Sequence, residues 1–305
     1  MRPRSLAWRR TKDRAVKTFS GVAALIGLAF LAWILFEVVM RGARAIDLSF
    51  FTELPTPPGR AGGGLANAMV GTLAITTLAA LMGVPVGLLA GVYLAEFGRG
   101  GRFASTVRFL CNVLMGIPSI VIGVFVYAVM VTEHNLWGLR WGGHYSAWAG
   151  AAALAIIMVP LVARTTEDML NLVPNTLRES ALALGSPRWK VTLGVVFRAA
   201  KSGLVTGTLL GVARVSGETA PLLFTALNSP YWLRSLDPPT ANPSTWAAAL
   251  NEPTANLTVT IWNYANSPFA DWQQKAWGAS LVITAGVLLL TIVARVIFRK
   301  RTVWS

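Results

Sequence analysis

The chain has 305 residues, of which 54% are apolar and 13% are charged. Soluble globular proteins usually contain about 25% charged residues, so this composition argues against a water-soluble fold. The net charge of +14 raises the possibility of nucleic-acid binding, but the basic residues lie mainly between apolar blocks, as topology signals do in membrane proteins.

Six apolar segments are long enough to cross the roughly 30 Å hydrocarbon core of a bilayer as helices. In chain order these predicted spans cover residues 19–40, 65–96, 104–131, 146–169, 202–227 and 277–298. The short alternating segments of a membrane β-barrel are not visible in the sequence. We therefore predict an all-α membrane protein with six transmembrane helices and no nucleic-acid partner.

The tails and the loops after the second and fourth spans carry most of the Arg and Lys residues. Cytoplasmic loops of membrane proteins are enriched in these residues, so we predict that both termini are cytoplasmic. The basic N-terminus resembles a signal peptide, but the first apolar segment is too long for one and is predicted to be retained.

These spans divide the chain into a cytoplasmic N-terminal tail, a first helix with an outer loop, a membrane core and a cytoplasmic C-terminal tail. The corresponding residues are 1–18, 19–64, 65–300 and 301–305. Two loops of the core are long enough to be functional. They are a cytoplasmic loop at 170–201 and an outer loop at 228–276.

The cytoplasmic loop contains the signals of a short helix. Thr176 and Glu179 have the spacing of a capping box, which predicts a helix start at Thr176. Gly185 is suited to end that helix, and Pro187 prevents its continuation. We predict a short helix, a sharp turn and a second, basic helix at the cytoplasmic surface.

Glycine and proline also recur within the predicted spans. Two series of glycines have four-residue spacing, which allows close helix packing and, as an alternative, a moving interface: Gly83, Gly87 and Gly91 in span two, and Gly203, Gly207 and Gly211 in span five. Four prolines are predicted to interrupt spans: Pro85, Pro118, Pro160 and Pro221.

Arg214 and Glu218 are charged residues inside the fifth predicted span. Their four-residue spacing places them on one face of a continuous helix, where they could neutralise each other. One interpretation is a buried ion pair that fixes the rotation of the helix. The other is that Arg214 faces a transport pathway, where its planar donors suit an oxyanion such as phosphate, and Glu218 holds Arg214 when substrate is absent.

Other polar residues carry weaker signals. Glu37 and Glu96 end predicted spans, where charge is tolerated. The short outer loop holds three potential metal ligands (Glu133, His134 and His144) without the spacing of a metal site. Three charged residues end span four and either brace the cytoplasmic loop or are solvated: Arg164, Glu167 and Asp168.

The cytoplasmic loop resembles the EAA-x-x-x-G loop of ABC importer permeases, which docks onto an ATP-binding subunit. The matching residues are Glu179, Ser180, Ala181 and Gly185, with Ser180 replacing an alanine. Arg198 stands where many family members have proline, which leaves the end of the second helix open. An interfacial helix without a docking role is the alternative for this loop.

Three motifs resemble the protein A permeases of the phosphate-specific transport (Pst) family. They are RVSGETAPLLF at 214–224, MGIPSIVIG at 115–123 and SPFADWQQKAW at 267–277. The resemblance covers residues 65–300, the predicted permease core, and implies the fold of a type I ABC importer permease. It also implies that Arg214, Glu218 and Thr219 belong to the substrate pathway.

The same resemblance implies a complex in a bacterial inner membrane that imports inorganic phosphate. Its other members would be a dimer of ATP-binding subunits, the sister permease protein C and a periplasmic phosphate-binding protein. This chain would also contact membrane lipid. The sequence lacks the Gly-Lys pair of a phosphate-binding P-loop. We expect no catalytic residue, metal or cofactor in this chain, with ATP and Mg used by the partner ATPase.

Three alternatives remain at this point. The chain could be a permease subunit for another oxyanion. It could be a secondary transporter, although neither an ion-coupling site nor an inverted repeat is visible in the sequence. It could also be a non-transporting membrane scaffold or a regulator of phosphate uptake, for which a charge pair inside the membrane has no evident use.

Overall fold

The computed structural model describes residues 6–60, 62–98, 100–136, 139–232 and 248–297. The other residues include parts of the predicted tails and of the outer loop, which therefore lie outside the described residues. The described helices are α1 (Leu6–Ala43), α2 (Leu48–Thr52), α3 (Ala66–Val92), α4 (Arg102–Gly116), α5 (Ser119–Val126), α6 (Ala147–Asn171), α7 (Asn175–Ala183), α8 (Arg188–Val191), α9 (Phe197–Ser216), α10 (Ala220–Thr225), α11 (Leu257–Ala265) and α12 (Ala270–Ile297).

Short segments of other structure extend or connect these helices. Turns of π-helix follow α3, α5 and α8, at Tyr93–Phe97, Tyr127–Val131 and Thr192–Val196. A small antiparallel hairpin joins β1 (His134–Leu136) to β2 (Leu139–Trp141). Within the hairpin, the ring of His134 stacks on Trp141 and its Nε2 lies 2.9 Å from the Thr132 hydroxyl oxygen.

The prediction of an all-α membrane fold is confirmed. Five continuous helical segments in the described chain are long and apolar enough to cross a membrane, and a bent pair of helices makes a sixth candidate span. The first of these segments belongs to α1, which begins at Leu6 and thus extends the predicted span into the predicted tail.

The third span is broken, which confirms the predicted interruption at Pro118. Its two parts, α4 and α5, meet at an angle of 101°. Pro118 lies at the break, and Ile117 before it has the extended conformation that a following proline favours. Pro85 and Pro160, in contrast, lie inside the continuous helices α3 and α6. The prediction that these two prolines interrupt their spans was wrong.

Helix α6 lies at the centre of the bundle, because two-thirds (67%) of its most apolar 18-residue stretch is buried. The glycines of α3 allow its close approach to α6, since a Cβ added to Gly87 would lie 2.7 Å from Val162 Cβ. A Cβ added to Gly211 of α9 would lie 3.2 Å from Cγ2 of the same valine. Both glycine series therefore pack helices against α6, as predicted, and a moving interface stays a prediction.

Helix α1 lies beside this bundle, and no residue in its most apolar 18-residue stretch is buried in the isolated chain. Its contact with α12 is near its C-terminal end. There a Cβ added to Gly42 would lie 2.6 Å from Leu281 Cβ, and Arg41 lies over the Trp277 ring. A large apolar surface of α1 is thus available to lipid or to another chain.

The loop predicted to be cytoplasmic forms the predicted pair of helices, but the predicted capping box is wrong. Helix α7 has Pro174 as its N-cap, with no side-chain cap, and the Ser180 hydroxyl donates to the Thr176 carbonyl. Gly185 has the predicted left-handed conformation, with φ of 80°. From Arg188 the chain is helical without interruption to Ser216, so the residue at 198 does not end the second helix.

Replacement of Gly87 by alanine should destabilise the chain, because its Cβ would overlap Val162 and force α3 away from α6. Overpacking of this kind typically costs about 1–3 kcal/mol. Thermal denaturation of the purified protein in detergent, followed by size-exclusion chromatography, measures the effect. The matched control is Gly286→Ala in α12, whose Cβ would meet no atom within 4 Å. An equal loss of stability in both variants would contradict the packing account.

Candidate functional site

The fifth predicted span is also broken, at the residues that carry its motif. Helix α9 ends at Ser216, Glu218 and Thr219 are not helical, and the short helix α10 begins at Ala220. Proline at position 221 cannot donate a hydrogen bond to the carbonyl of Gly217, and its ring would clash with that group in a continuous helix. The prediction that Pro221 interrupts this span is therefore confirmed, whereas the continuous helix that would place Arg214 and Glu218 on one face is wrong.

This break separates Arg214 from Glu218. Arg214 lies in the last turn of α9, whereas Glu218 lies beyond the end of the helix. In the described part of the chain, no ion pair joins the two side chains. The prediction that the two charges neutralise each other on one face of a continuous helix was therefore wrong. Arg214 is exposed in the isolated chain and Glu218 is half-buried. Their charges are therefore available to a third group.

Arg214 and Glu218 instead line one cavity of about 240 Å³. Its remaining lining comes from the break in span three and from α6, and consists of Leu114, Met115, Ile117, Pro118, Ser119, Ile122, Ile157 and Leu161. The motif at 115–123 and the motif at 214–224 thus meet at this cavity. The lining is mostly apolar, with one positive and one negative side chain.

Close packing holds the two broken spans together. A Cβ added to Gly123 of α5 would lie 2.6 Å from the Cα of Pro221 in α10. Only glycine at position 123 allows this approach without movement of the proline backbone. The cavity is therefore formed where two broken helices support each other.

The backbone around Glu218 is supported by a helix from the predicted outer loop. The Thr258 hydroxyl donates a hydrogen bond of 3.0 Å to the Glu218 carbonyl oxygen. Thr258 lies in α11, whose N-cap Asn256 accepts a hydrogen bond from the Val259 backbone at 2.9 Å. Sequence reasoning missed Thr258 because it lies 40 positions from Glu218 and belongs to no motif.

Thr219 has a different position from the other two predicted pathway residues. It is the N-cap of α10, and its carbonyl accepts hydrogen bonds from Leu222 and Leu223. It does not belong to the residues that line the cavity in the described structure. The structure therefore places Thr219 where it supports the helix break, and its place in the pathway stays a prediction.

The electrostatics of the cavity suit a small oxyanion. The Arg214 guanidinium offers several N–H donors in one plane, and an oxyanion can accept two of them at once. Helix α5 begins at Ser119 on the cavity wall, where the first N–H groups of a helix and its dipole favour negative charge. Glu218 opposes that attraction, which limits how tightly an anion binds.

The predicted docking loop presents an exposed surface on α7 and the turn after it. Glu179, Ser180 and Gly185 are exposed, and Ala181 is half-buried. Leu184 is 87% exposed, which is unusual for a leucine unless another surface covers it. The loop thus carries both charged and apolar groups that a soluble partner could contact.

Behind this surface lies an ion pair that sequence reasoning did not find. Arg178 of α7 and Glu96 at the end of span two are 2.7 Å apart, and the side chain of each is only 9% exposed. Glu96 is therefore not the tolerated interfacial charge that the sequence suggested. The two residues are separated by 82 positions, so no local pattern relates them.

Glu167 is likewise paired, with Arg108 of α4 at 2.6 Å, and only 5% of its side chain is exposed. Asp168 is 52% exposed and lies 3.6 Å from Arg164. Of the three charges that end span four, Glu167 thus braces this side of the bundle, whereas Asp168 is largely solvated.

Comparison with known proteins places the chain among transport proteins. Residues 83–302 match the family model described as binding-protein-dependent transport system inner membrane component. The phosphate transport system permease protein PstA of Yersinia pestis is 46% identical over 300 residues, covering 98% of this chain and 94% of that protein. PstA of Mycobacterium leprae is 34% identical over 307 residues, covering 99% and 94%.

Solved structures give the same fold. A bacterial alginate ABC transporter chain matches 96% of this chain and 97% of its own length, with a TM-score of 0.65 and 14% identity. A chain of the MetNI methionine ABC transporter, in an inward-facing conformation, matches 77% and 94%, with a TM-score of 0.58 and 19% identity. At these identities the likeness concerns the fold alone.

A chain of this family is a membrane-spanning transport component, and its ATPase and its binding protein are separate subunits. The level of identity over nearly the full length supports a narrower assignment than the general family model. The chain belongs to the PstA family of phosphate transport system permeases, within the inner membrane components of ABC importers.

Proposed function

We propose that this chain forms part of the pathway through which an ATP-driven importer moves inorganic phosphate from the periplasm to the cytoplasm. The cavity at which Arg214 meets the break in span three carries this proposal. It places one cationic group for anion binding inside a membrane-spanning bundle. The relatives named as phosphate transport permeases support phosphate as the anion.

In this mechanism Arg214 binds the phosphate oxygens while the anion crosses the membrane. A charge near the bilayer centre costs about 2.5–3.5 kcal/mol on insertion scales, so its retention there indicates a use. Glu218 keeps the interaction weak enough for release, a condition that every conducting pathway must meet. Thr219 and Thr258 maintain the break that brings both charges to the cavity.

The complex would contain a sister permease of the protein C type, a dimer of ATP-binding subunits and a periplasmic phosphate-binding protein. The exposed surface of α7 would dock into a groove of an ATP-binding subunit, a common mode of helix recognition. The exposed faces of α1 would contact lipid or the sister permease. ATP and Mg would bind to the partner ATPase, and this chain would bind no cofactor.

Both termini and the loop at 170–201 would be cytoplasmic, following the distribution of Arg and Lys. ATP binding would move α7, and the movement would change which side of the membrane reaches the Arg214 cavity. Transport of another oxyanion is the second candidate function, because the guanidinium chemistry alone does not select phosphate. A scaffold without transport activity is less favoured, since it has no evident use for an anion cavity.

Replacement of Arg214 by glutamine should reduce phosphate uptake about tenfold to a hundredfold, because hydrogen bonds to a charged group contribute about 1.5–3 kcal/mol. Uptake of radiolabelled phosphate into vesicles that contain the complete complex measures this effect. The matched control is Arg102→Gln, which removes an exposed arginine at the start of α4. Co-purification of the subunits confirms that each variant assembles.

Normal phosphate uptake by an assembled Arg214→Gln complex would show that Arg214 does not bind the substrate. Uptake of labelled sulfate by vesicles that contain the wild-type complex tests the second candidate function. The uptake is measured both with and without the phosphate-binding protein. Uptake of sulfate in preference to phosphate would reject phosphate as the natural anion.

A cysteine placed at Ser180 should react with a membrane-impermeant maleimide only when the cytoplasmic face is accessible, because this residue is exposed on α7. Intact cells and inverted membrane vesicles provide the two orientations, in a Cys111→Ser background and without the ATP-binding subunit that would otherwise cover α7. A cysteine at the exposed Asn266, in the predicted outer loop, serves as the control and should react from the opposite side. Labelling of Ser180→Cys in intact cells would contradict the proposed docking.

A further inference from the structure

Helix α7 is attached to the membrane-spanning helices through a buried arginine. Arg178 is 7% exposed and is the buried residue of this helix. Leu177 and Leu182 on the same helix are 45% and 39% exposed. An arginine is rarely buried to this extent unless its charge is paired. The inner contact of α7 thus combines the buried Arg178 with Ala181, which packs on the apolar cluster around Leu170, while much of its other apolar surface faces outward.

The guanidinium of Arg178 donates hydrogen bonds to four groups, of which the side-chain oxygen of Asn175 is the most distant at 3.4 Å. Its Nε and Nη2 donate to Glu96 Oε1 at 3.0 and 2.7 Å. Nη2 also donates to the Leu170 carbonyl at 2.7 Å, and Nη1 donates to the Val173 carbonyl at 2.5 Å. Leu170 and Val173 are buried, whereas Glu96 and Arg178 also line a cavity of about 380 Å³ beside α7.

These partners belong to different structural elements. Glu96 lies in the π-helical turn that ends span two, and Leu170 lies in the last turn of α6, which is span four. Carbonyl groups at the end of a helix lack intrahelical partners, and positive charge is favourable there. One planar side chain on α7 thus joins the ends of two membrane-spanning helices.

A second arginine joins the same region to span three. Arg108 of α4 donates through Nε to Glu167 Oε1 at 2.6 Å and through Nη2 to the Leu94 carbonyl at 2.9 Å. Glu167 belongs to α6, one turn before Leu170. Spans two, three and four are therefore joined to one another at the end where α7 is attached.

Stability alone gives little reason for this arrangement. A buried ion pair often contributes no more than apolar residues of similar volume, because desolvation offsets the attraction between the charges. The guanidinium differs from an apolar contact in that its planar fork fixes both distance and direction. A link with fixed geometry therefore transmits displacement in a defined direction.

We propose that Arg178 is a positioning residue that makes α7 and the ends of spans two and four move as one unit. Movement of the ATPase then reaches the Arg214 cavity through α6, which lines that cavity with Ile157 and Leu161. This inference rests on the proposed function, in which α7 receives the movement. Arg178 touches no substrate, and its role is the coupling of ATP hydrolysis to transport.

The experiment compares Arg178→Gln, Arg178→Lys and the control Arg102→Gln in vesicles containing the complete complex. It measures phosphate accumulated per ATP hydrolysed, together with subunit assembly. For Arg178→Gln we expect hydrolysis near the wild-type rate and at least about a tenfold fall in uptake per ATP, the change produced by loss of one charge-assisted hydrogen bond. Lysine keeps the charge without the planar fork, so Arg178→Lys should give an intermediate ratio.

A wild-type ratio in an assembled Arg178→Gln complex would overturn the inference. If glutamine prevents assembly, the lysine variant decides: a reduced ratio supports the inference and an unchanged ratio overturns it. Failure of every Arg178 variant to assemble would assign a purely structural role and would overturn it as well.

A wild-type complex that hydrolyses ATP but accumulates no phosphate would contradict the proposed function instead. The inference is then decided without phosphate, by maleimide labelling of Ser119→Cys in the cavity, in a Cys111→Ser background. We expect ATP to change the labelling rate, and Arg178→Gln to abolish that change. An ATP-dependent change that persists in Arg178→Gln would overturn the coupling role of Arg178.

Discussion

The close contact of α6 with α3 and α9 determines where both functional regions lie. In lipid, no hydrophobic effect drives one apolar helix onto another, so association depends on close packing between small residues. The glycines of α3 and α9 provide that packing against α6, where Gly87 and Gly211 both approach Val162. Because α6 is held between them, its middle lines the Arg214 cavity and its end meets α7.

The two broken spans follow from a second constraint of the bilayer. Backbone N–H and C=O groups exposed to hydrocarbon lack partners, so irregular backbone is tolerated only inside protein or beside a cavity. Both breaks, at Pro118 and at Gly217, meet this condition, because they face each other across the cavity and are closed by the contact of Gly123 with Pro221. The breaks and the anion cavity are therefore one feature of the fold.

Much of the fold was predictable from local pattern, whereas the geometry of the site was not. Apolar segment length gave the six candidate spans, and four-residue glycine spacing gave the helix contacts. Pro221 predicted an interruption of span five, but not that the helix already ends at Ser216 and so separates Arg214 from Glu218. The Arg178–Glu96 pair was beyond prediction, since only tertiary packing brings together residues 82 positions apart.

The path between the two functional regions is short and nearly rigid. Leu161 at the cavity and Leu170 at the Arg178 contact lie on one continuous helix, roughly 14 Å apart at 1.5 Å per residue. Pro160 removes one hydrogen bond of α6 beside the cavity, so the helix is weakest where the anion would bind. A displacement of the Leu170 end would therefore be carried along a stiff segment and absorbed at Pro160, where it changes the cavity wall.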